Sequence, residues 1–215
     1  MSHKSSHSVV TLCLILAILS SLIPACAQPK RQRVLLLLSE QSVDMGLMLT
    51  KEVNVMASML SKAGFDVETA SDSGQTITAG NVTLKPDMKI ADVKVEDYAG
   101  LMIPCMGRPE GYQASPETLD VVRKAFAQGK WIAAQNYGVM VLFQAGIMNG
   151  KQFAMAADDA PDAAGFKGVY EGEGVVQDGK IITAGICPYM EIEDGKKGTT
   201  IELTQKFIQS LGSQG

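Results

Sequence analysis

Residues Val34–Leu38 are five aliphatic side chains in a row, with Arg33 before them and Ser39-Glu40 after. A half-exposed strand alternates apolar and polar residues, because successive side chains point to opposite faces. An unbroken short run is what a strand buried on both faces requires, and such strands belong to parallel sheets covered by helices on each side. Gly100–Ile103, closed by Pro104, and Trp131–Ala134 repeat the signal.

The segments between these runs have helical or turn character. Val53, Met56, Ala57 and Leu60 fall at helical spacing, so a helix is predicted from about Thr50 to Ala63, with Gly64 as its left-handed stop and Ser39–Leu49 as a long connection. Phe65–Ala70 alternates like a second strand, turned by Asp72-Ser73-Gly74. Thr76–Val95 is polar and β-prone, an edge excursion or hairpin. Ser115 and Pro116 are an N-cap and first position for a helix to Gln128. A short helix is predicted over Val139–Ala145, and a further strand over Gln152–Ala156. An Asp178-Gly179 turn folds Val175–Ile182 into a hairpin. The last helix, Thr199–Leu211, carries Ile201, Thr204, Phe207, Ile208 and Leu211 on one stripe. The alternation predicts a doubly wound α/β domain over 33–212: a flavodoxin-like, mostly parallel sheet with helices on both faces, a three-layer α/β/α sandwich. Its site belongs at the carboxyl ends of the strands.

The start of the chain reads differently. Lys4 and His7 precede an apolar run, Val9–Ile23, shorter than the roughly 20 residues that span a bilayer. Ala25-Cys26-Ala27 fits the small-x-small rule, so 1–27 reads as a signal peptide cleaved before Gln28, with 28–32 a short basic linker. Alternatively, Ile23-Pro24-Ala25-Cys26 resembles a lipobox, which makes 1–25 a lipoprotein signal and Cys26 a lipidated first residue. Export to the periplasm or outside the cell is expected in either case, with no membrane span after processing and, in the second, a lipid anchor. The net charge is −4 and the pI about 5.2, so no basic field exists to attract nucleic acid.

The sharpest chemical feature is Trp131-Ile132-Ala133-Ala134-Gln135-Asn136-Tyr137-Gly138-Val139. A buried strand runs through a tight turn directly into a helix. That geometry is a nucleophile elbow, which exposes one side chain above the sheet and aims it at a helix N-terminus. Ala134-Gln135-Asn136-Tyr137-Gly138-Val139 resembles the elbow A-x-C-H-G-P of the DJ-1/PfpI (ThiJ/PfpI) superfamily, whose fold is that of class I glutamine amidotransferases. Ala63-Gly64-Phe65-Asp66-Val67, Val82–Asp87, Asp97–Pro104 and Asp178–Thr183 also resemble family stretches.

The resemblance makes the departures informative. Asn136 stands where the family keeps its nucleophilic cysteine, and Tyr137 where it has histidine. The family's glycine pair, whose N–H groups often help form an oxyanion hole, is here Cys105-Met106. Both histidines of the chain, His3 and His7, lie in the export segment, so the expected mature domain cannot run a Cys-His or Ser-His-Asp mechanism. The family's first-helix glutamate matches Glu52, which is expected to face Asn136 and accept from its amide; otherwise Glu52 is simply a first-turn acid.

The expected pocket comprises Glu52, Cys105, Met106, Gln135, Asn136, Tyr137 and Gly138, with Tyr112 and Tyr189 at its mouth and Met45, Met48 and Met140 among its apolar lining. Cys105 and Cys187 are the cysteines left after processing. They read as a disulfide, as a displaced nucleophile at Cys105, or as two small buried side chains. Asp158, Asp159 and Asp162 read as a solvated loop, and Glu191–Gly198 as a polar excursion. No metal or cofactor is expected. Three functions remain open: a non-catalytic ligand- or protein-binding module, dimeric as the resemblance implies; an enzyme rewired around Cys105 as nucleophile or Glu52 as base, with hydrolase, glyoxalase or amidotransferase-like chemistry; and a lipid-anchored envelope protein.

Overall fold

The computed structural model describes residues 31–107, 109, 111–160 and 167–212. The predicted export segment, Cys26 and Asp162 lie outside these residues. No helix among the described residues is long and apolar enough to cross a membrane.

The aliphatic run forms β1 (Arg33–Leu38), buried from Val34 onward. The first helix begins earlier than its apolar pattern predicts. Asp44 caps α1 (Met45–Met48), its Oδ1 accepting the Leu47 N–H at 2.9 Å. A wide π turn, Leu49–Val53, then leads without a break into α2 (Asn54–Lys62). Much of the expected connection is therefore helical, because one polar cap satisfies N–H groups that apolar periodicity does not reveal.

Next come β2 (Asp66–Ser71), the hairpin of β3 (Ile77–Ala79) and β4 (Val82–Leu84), and the short edge strand β5 (Met88–Lys89). β6 (Gly100–Ile103) precedes α3 (Pro116–Ala127), where the Ser115 hydroxyl accepts the Thr118 N–H at 3.1 Å. β7 (Trp131–Gln135) runs into α4 (Tyr137–Gln144). The predicted strand over 152–156 shortens to β8 (Gln152–Phe153), paired with β9 (Val169–Tyr170). The Asp-Gly hairpin is β10 (Val175–Asp178) and β11 (Ile181–Ala184). The start of the expected polar excursion is instead helical, α5 (Pro188–Glu193), with Pro188 in its first turn.

The final helix is α6 (Thr200–Gly212). Its inner face is Thr200, Leu203, Thr204, Phe207 and Leu211, whereas Ile201 is 56% exposed. The stripe is rotated from the expected one because Thr200 turns inward, its hydroxyl donating to Gln135 Oε1 at 3.0 Å.

The main sheet has the order β10-β11-β7-β6-β1-β2-β5, with β10 its antiparallel member. Alternate residues feed two cores. Leu35, Leu37, Leu101, Ile103 and Ile132 pack with Val121 and Val122 of α3 and Val139 and Leu142 of α4. Val34, Leu36, Met102, Ala133 and Ile182 pack with Met56 and Leu60 of α2 and Leu203 and Phe207 of α6. Burying a leucine on such a face contributes about 1.5–3 kcal/mol, which favours the unbroken aliphatic run Val34–Leu38 once the strand is covered on both faces. The predicted three-layer sandwich is the observed one. The chain reverses its direction of winding between β1 and β6, and a cleft at the carboxyl ends of such strands is where doubly wound folds place ligands.

Candidate functional site

The turn between β7 and α4 has the backbone of an elbow. Asn136 sits at φ 42°, ψ −109° as the N-cap of α4. This region costs a non-glycine residue of order 1–3 kcal/mol and persists only where surroundings enforce it. Those surroundings are identifiable. The Asn136 N–H donates to Ala184 O at 2.8 Å, and its carbonyl accepts the Val139 N–H at 2.7 Å. Gly138 lets α4 close onto β6: a Cβ there would lie 2.2 Å from Ile103 O.

The Asn136 side chain is buried and fully engaged. Its Nδ2 donates to Asp159 Oδ2 at 2.7 Å and lies 3.4 Å from Met190 Sδ, while its Oδ1 accepts the Ala156 N–H at 3.2 Å. The carboxylate partner of Asn136 is thus Asp159, not Glu52 as expected. Asp159 ends the single 3₁₀ turn Ala157–Asp159 and is only partly exposed, so the reading of a wholly solvated loop does not hold there.

Glu52 lies in the π turn before α2 and is completely buried. Its Oε1 accepts the Cys105 N–H at 2.8 Å and its Oε2 the Met106 N–H at 2.9 Å. The carboxylate therefore braces the turn after β6, where Met106 and Gly107 both adopt left-handed φ of 57° and 53°. Donors that could have polarised a ligand carbonyl at this turn are given to Glu52.

Gln135 is likewise structural. Its Nε2 donates to Ile186 O at 2.8 Å and to Thr199 Oγ1 at 3.3 Å, tying the end of β7 to the segment around α5. Cys105 and Cys187 are buried thiols, not joined as a disulfide, that interact with each other. The hydrogen bond to Cys105 pushes the Cys187 thiol well above the usual thiol range. Burial and the nearby Cys105 and Glu52 add to this, and the Met190 N–H opposes it only in part.

These groups converge on a cavity of about 230 Å³. Asn136, Tyr137, Cys105, Cys187, Tyr189 and Met190 line it, together with Val43, Gly107 and the carboxyl-bearing Asp159, Glu193 and Asp194. Of the residues expected to form a pocket, Cys105, Asn136, Tyr137 and Tyr189 do so. Glu52, Met106, Gln135 and Gly138 stand behind the wall. Met45 and Met48 belong to the core on the α2 side, and Met140 borders a separate hollow with Tyr137 and Asp159. Tyr112 packs against the opposite core, its carbonyl held by Gln144 Nε2 at 2.9 Å. Sequence reasoning missed Glu193 and Asp194. Pro188, in the first turn of α5, was the available signal for the short helix that brings them in. Among the described residues no group of three or more His, Cys, Asp or Glu is placed to hold a metal ion.

The profile of the DJ-1/PfpI family matches residues 32–191. The chain belongs to the DJ-1/PfpI family. An uncharacterized protein of Archaeoglobus fulgidus is 32% identical over 126 residues, 58% of this chain and 75% of that protein. A deglycase of Pyrococcus horikoshii is 29% identical over 94 residues, 43% of this chain and 57% of that one. A two-domain Anabaena variabilis protein with DJ-1/ThiJ/PfpI-like and ferritin-like domains superposes with a TM-score of 0.70 at 23% identity. That match covers 85% of this chain and 48% of the other, and it shows the shared fold. Within the DJ-1/PfpI fold, the turn from β7 into α4 carries Asn136, with an amide side chain, at its strained position.

Proposed function

We propose that this DJ-1/PfpI-family chain does not perform cysteine-dependent catalysis at its elbow and acts as a binding module, its cavity taking a small ligand. The observation that carries this reading is the state of Asn136. Its amide nitrogen is spent on Asp159 and Met190, and its oxygen on the Ala156 N–H. A side chain so held is a wall, not an attacking group. Two further features agree. No histidine follows His7, and the Cys105 and Met106 N–H groups serve Glu52. The rival reading with Glu52 as base is weakened by the same bonds, because Glu52 already receives two N–H groups.

Relatives named deglycases supply the assay. Deglycase turnover is expected to be absent, while a small-molecule screen read by thermal shift yields ligands whose effect falls on Tyr189→Ala. Turnover by the unaltered chain at rates that survive Asn136→Ala would refute the binding-module reading and favour a rewired enzyme. Export through residues 1–27 and a homodimer complete the proposal. A mature N-terminus at Gln28, as opposed to a lipidated Cys26, separates secretion from anchoring by mass spectrometry, and sedimentation reads the dimer.

A further inference from the structure

Cys105 follows β6 and Cys187 follows β11, yet β7 lies between those strands in the sheet. Adjacent strands are about 4.8 Å apart, so strands two places apart end roughly 10 Å from each other. The two cysteines come together all the same, lining one cavity and packing in one core cluster. The segments beyond β6 and β11 must therefore lean together over the end of β7, where Asn136 makes its turn. Each side is held in place. Glu52 grips the Cys105 N–H at 2.8 Å, and Cys187, at the N-cap position of α5, follows Ile186, whose carbonyl accepts from Thr199 Oγ1 at 3.0 Å. Both thiols line the cavity, which gives a small reagent a route to them.

We propose that Cys105 and Cys187 are a redox-convertible pair that closes to a disulfide across the end of β7, beside Asn136. This does not rest on the loss of elbow catalysis and would stand if that reading failed. The partner reagent is a small disulfide. One cysteine, as thiolate, attacks a sulfur of the reagent, forming a mixed disulfide and expelling one thiolate that takes up the lost proton. The second cysteine then displaces the other half. Two cysteine S–H bonds and one reagent S–S bond are lost. One protein S–S bond and two reagent thiols are formed, so the two electrons given up by the cysteines reduce the reagent. The closed form joins the turn after β6 to the start of α5 and so fixes two walls of the cavity. It also closes a loop of about 80 residues in the unfolded chain, which raises resistance to denaturant.

The test treats the full chain, folded, with 2-hydroxyethyl disulfide at pH 8, quenches it with an alkylating reagent, and maps peptides without reduction. The expected result is a linked pair of peptides containing Cys105 and Cys187, about 2 Da lighter than their sum. The link is reversed by dithiothreitol, and the linked form has a higher urea midpoint than the reduced form. Cys187→Ser is expected to abolish the link. The proposal is overturned if both cysteines are recovered alkylated. It is equally overturned if either is trapped as a mixed disulfide with the reagent, about 76 Da heavier, because the neighbouring thiol then lies out of reach.

Discussion

Asn136→Asp changes one side-chain atom group at nearly constant volume, and it tests the contact that defines the elbow. In the native chain Nδ2 donates to Asp159 Oδ2 at 2.7 Å. The substitution replaces that donor with a carboxyl. A hydrogen bond to a charged group contributes about 1.5–3 kcal/mol, and that is lost. Two carboxylates about 4 Å apart repel by about 4 kcal/mol at an effective dielectric near 20. Asp159 is partly open to solvent, so we retain about half of that figure. The sum is about 3.5–5 kcal/mol at pH 8, unless the pair binds a proton.

Binding that proton restores the hydrogen bond and sets the pH dependence. Because the folded variant holds a proton that the unfolded chain has released, its folded-state affinity for that proton is raised. The stabilisation is fully present below the unfolded carboxyl value near 4 and is lost as pH rises through the folded value. Urea unfolding of the native and variant proteins at pH 8 and pH 5 reads this directly. The gap between them should be several kcal/mol at pH 8 and at least 1 kcal/mol smaller at pH 5, since each pH unit in that window is worth about 1.4 kcal/mol. A gap under about 0.5 kcal/mol, or one that does not change with pH, would refute the Asn136–Asp159 contact.

Glu52→Gln leaves one carbonyl oxygen for two N–H donors and turns an NH₂ toward the other, so a loss of about 2–3 kcal/mol is expected in urea unfolding. Gly138→Ala forces a methyl to within 2.2 Å of Ile103 O. A loss of more than about 3 kcal/mol, or failure to fold, should appear in circular-dichroism melts. Acid should weaken the fold through named pairs. Burial disfavours ionised Glu68, but hydrogen bonds from Arg33 and Tyr98 outweigh it and hold that carboxyl below its ordinary range. The Gln152 N–H and then Lys151 do the same for Asp178. A depressed folded value means stability present above the unfolded value and lost as pH falls through the folded one. Urea midpoints should therefore drop below about pH 4, and Glu68→Gln should flatten part of that limb.

The sheet and its layers were legible because burial leaves local marks. Five aliphatics at Val34–Leu38, Gly100–Ile103 before Pro104, and the Asp178-Gly179 turn each carry their own structural instruction. The elbow was legible for the same reason, since a strand, a tight turn and a helix in nine residues leave few backbone paths. Two helical segments were hidden by their capping. α1 depends on Asp44 and α5 begins at Pro188, and neither has the length for an apolar stripe to form. Ile201 was misplaced because the inward turn of Thr200 is set by Gln135, some 65 residues away.

The amino-acid sequence by itself determined that position 136 is an elbow residue without a thiol, and that no histidine follows His7 to serve it. Tertiary structure alone decided what that asparagine does. Asp159 reaches it from a polar turn, Glu52 passes it by to brace Cys105 and Met106, and Cys187 arrives from across β7 to meet Cys105. The reason is range. Burial and turn geometry are properties of neighbours along the chain. The partner of a polar side chain is set by strand order and by loops that meet only once the sheet has formed.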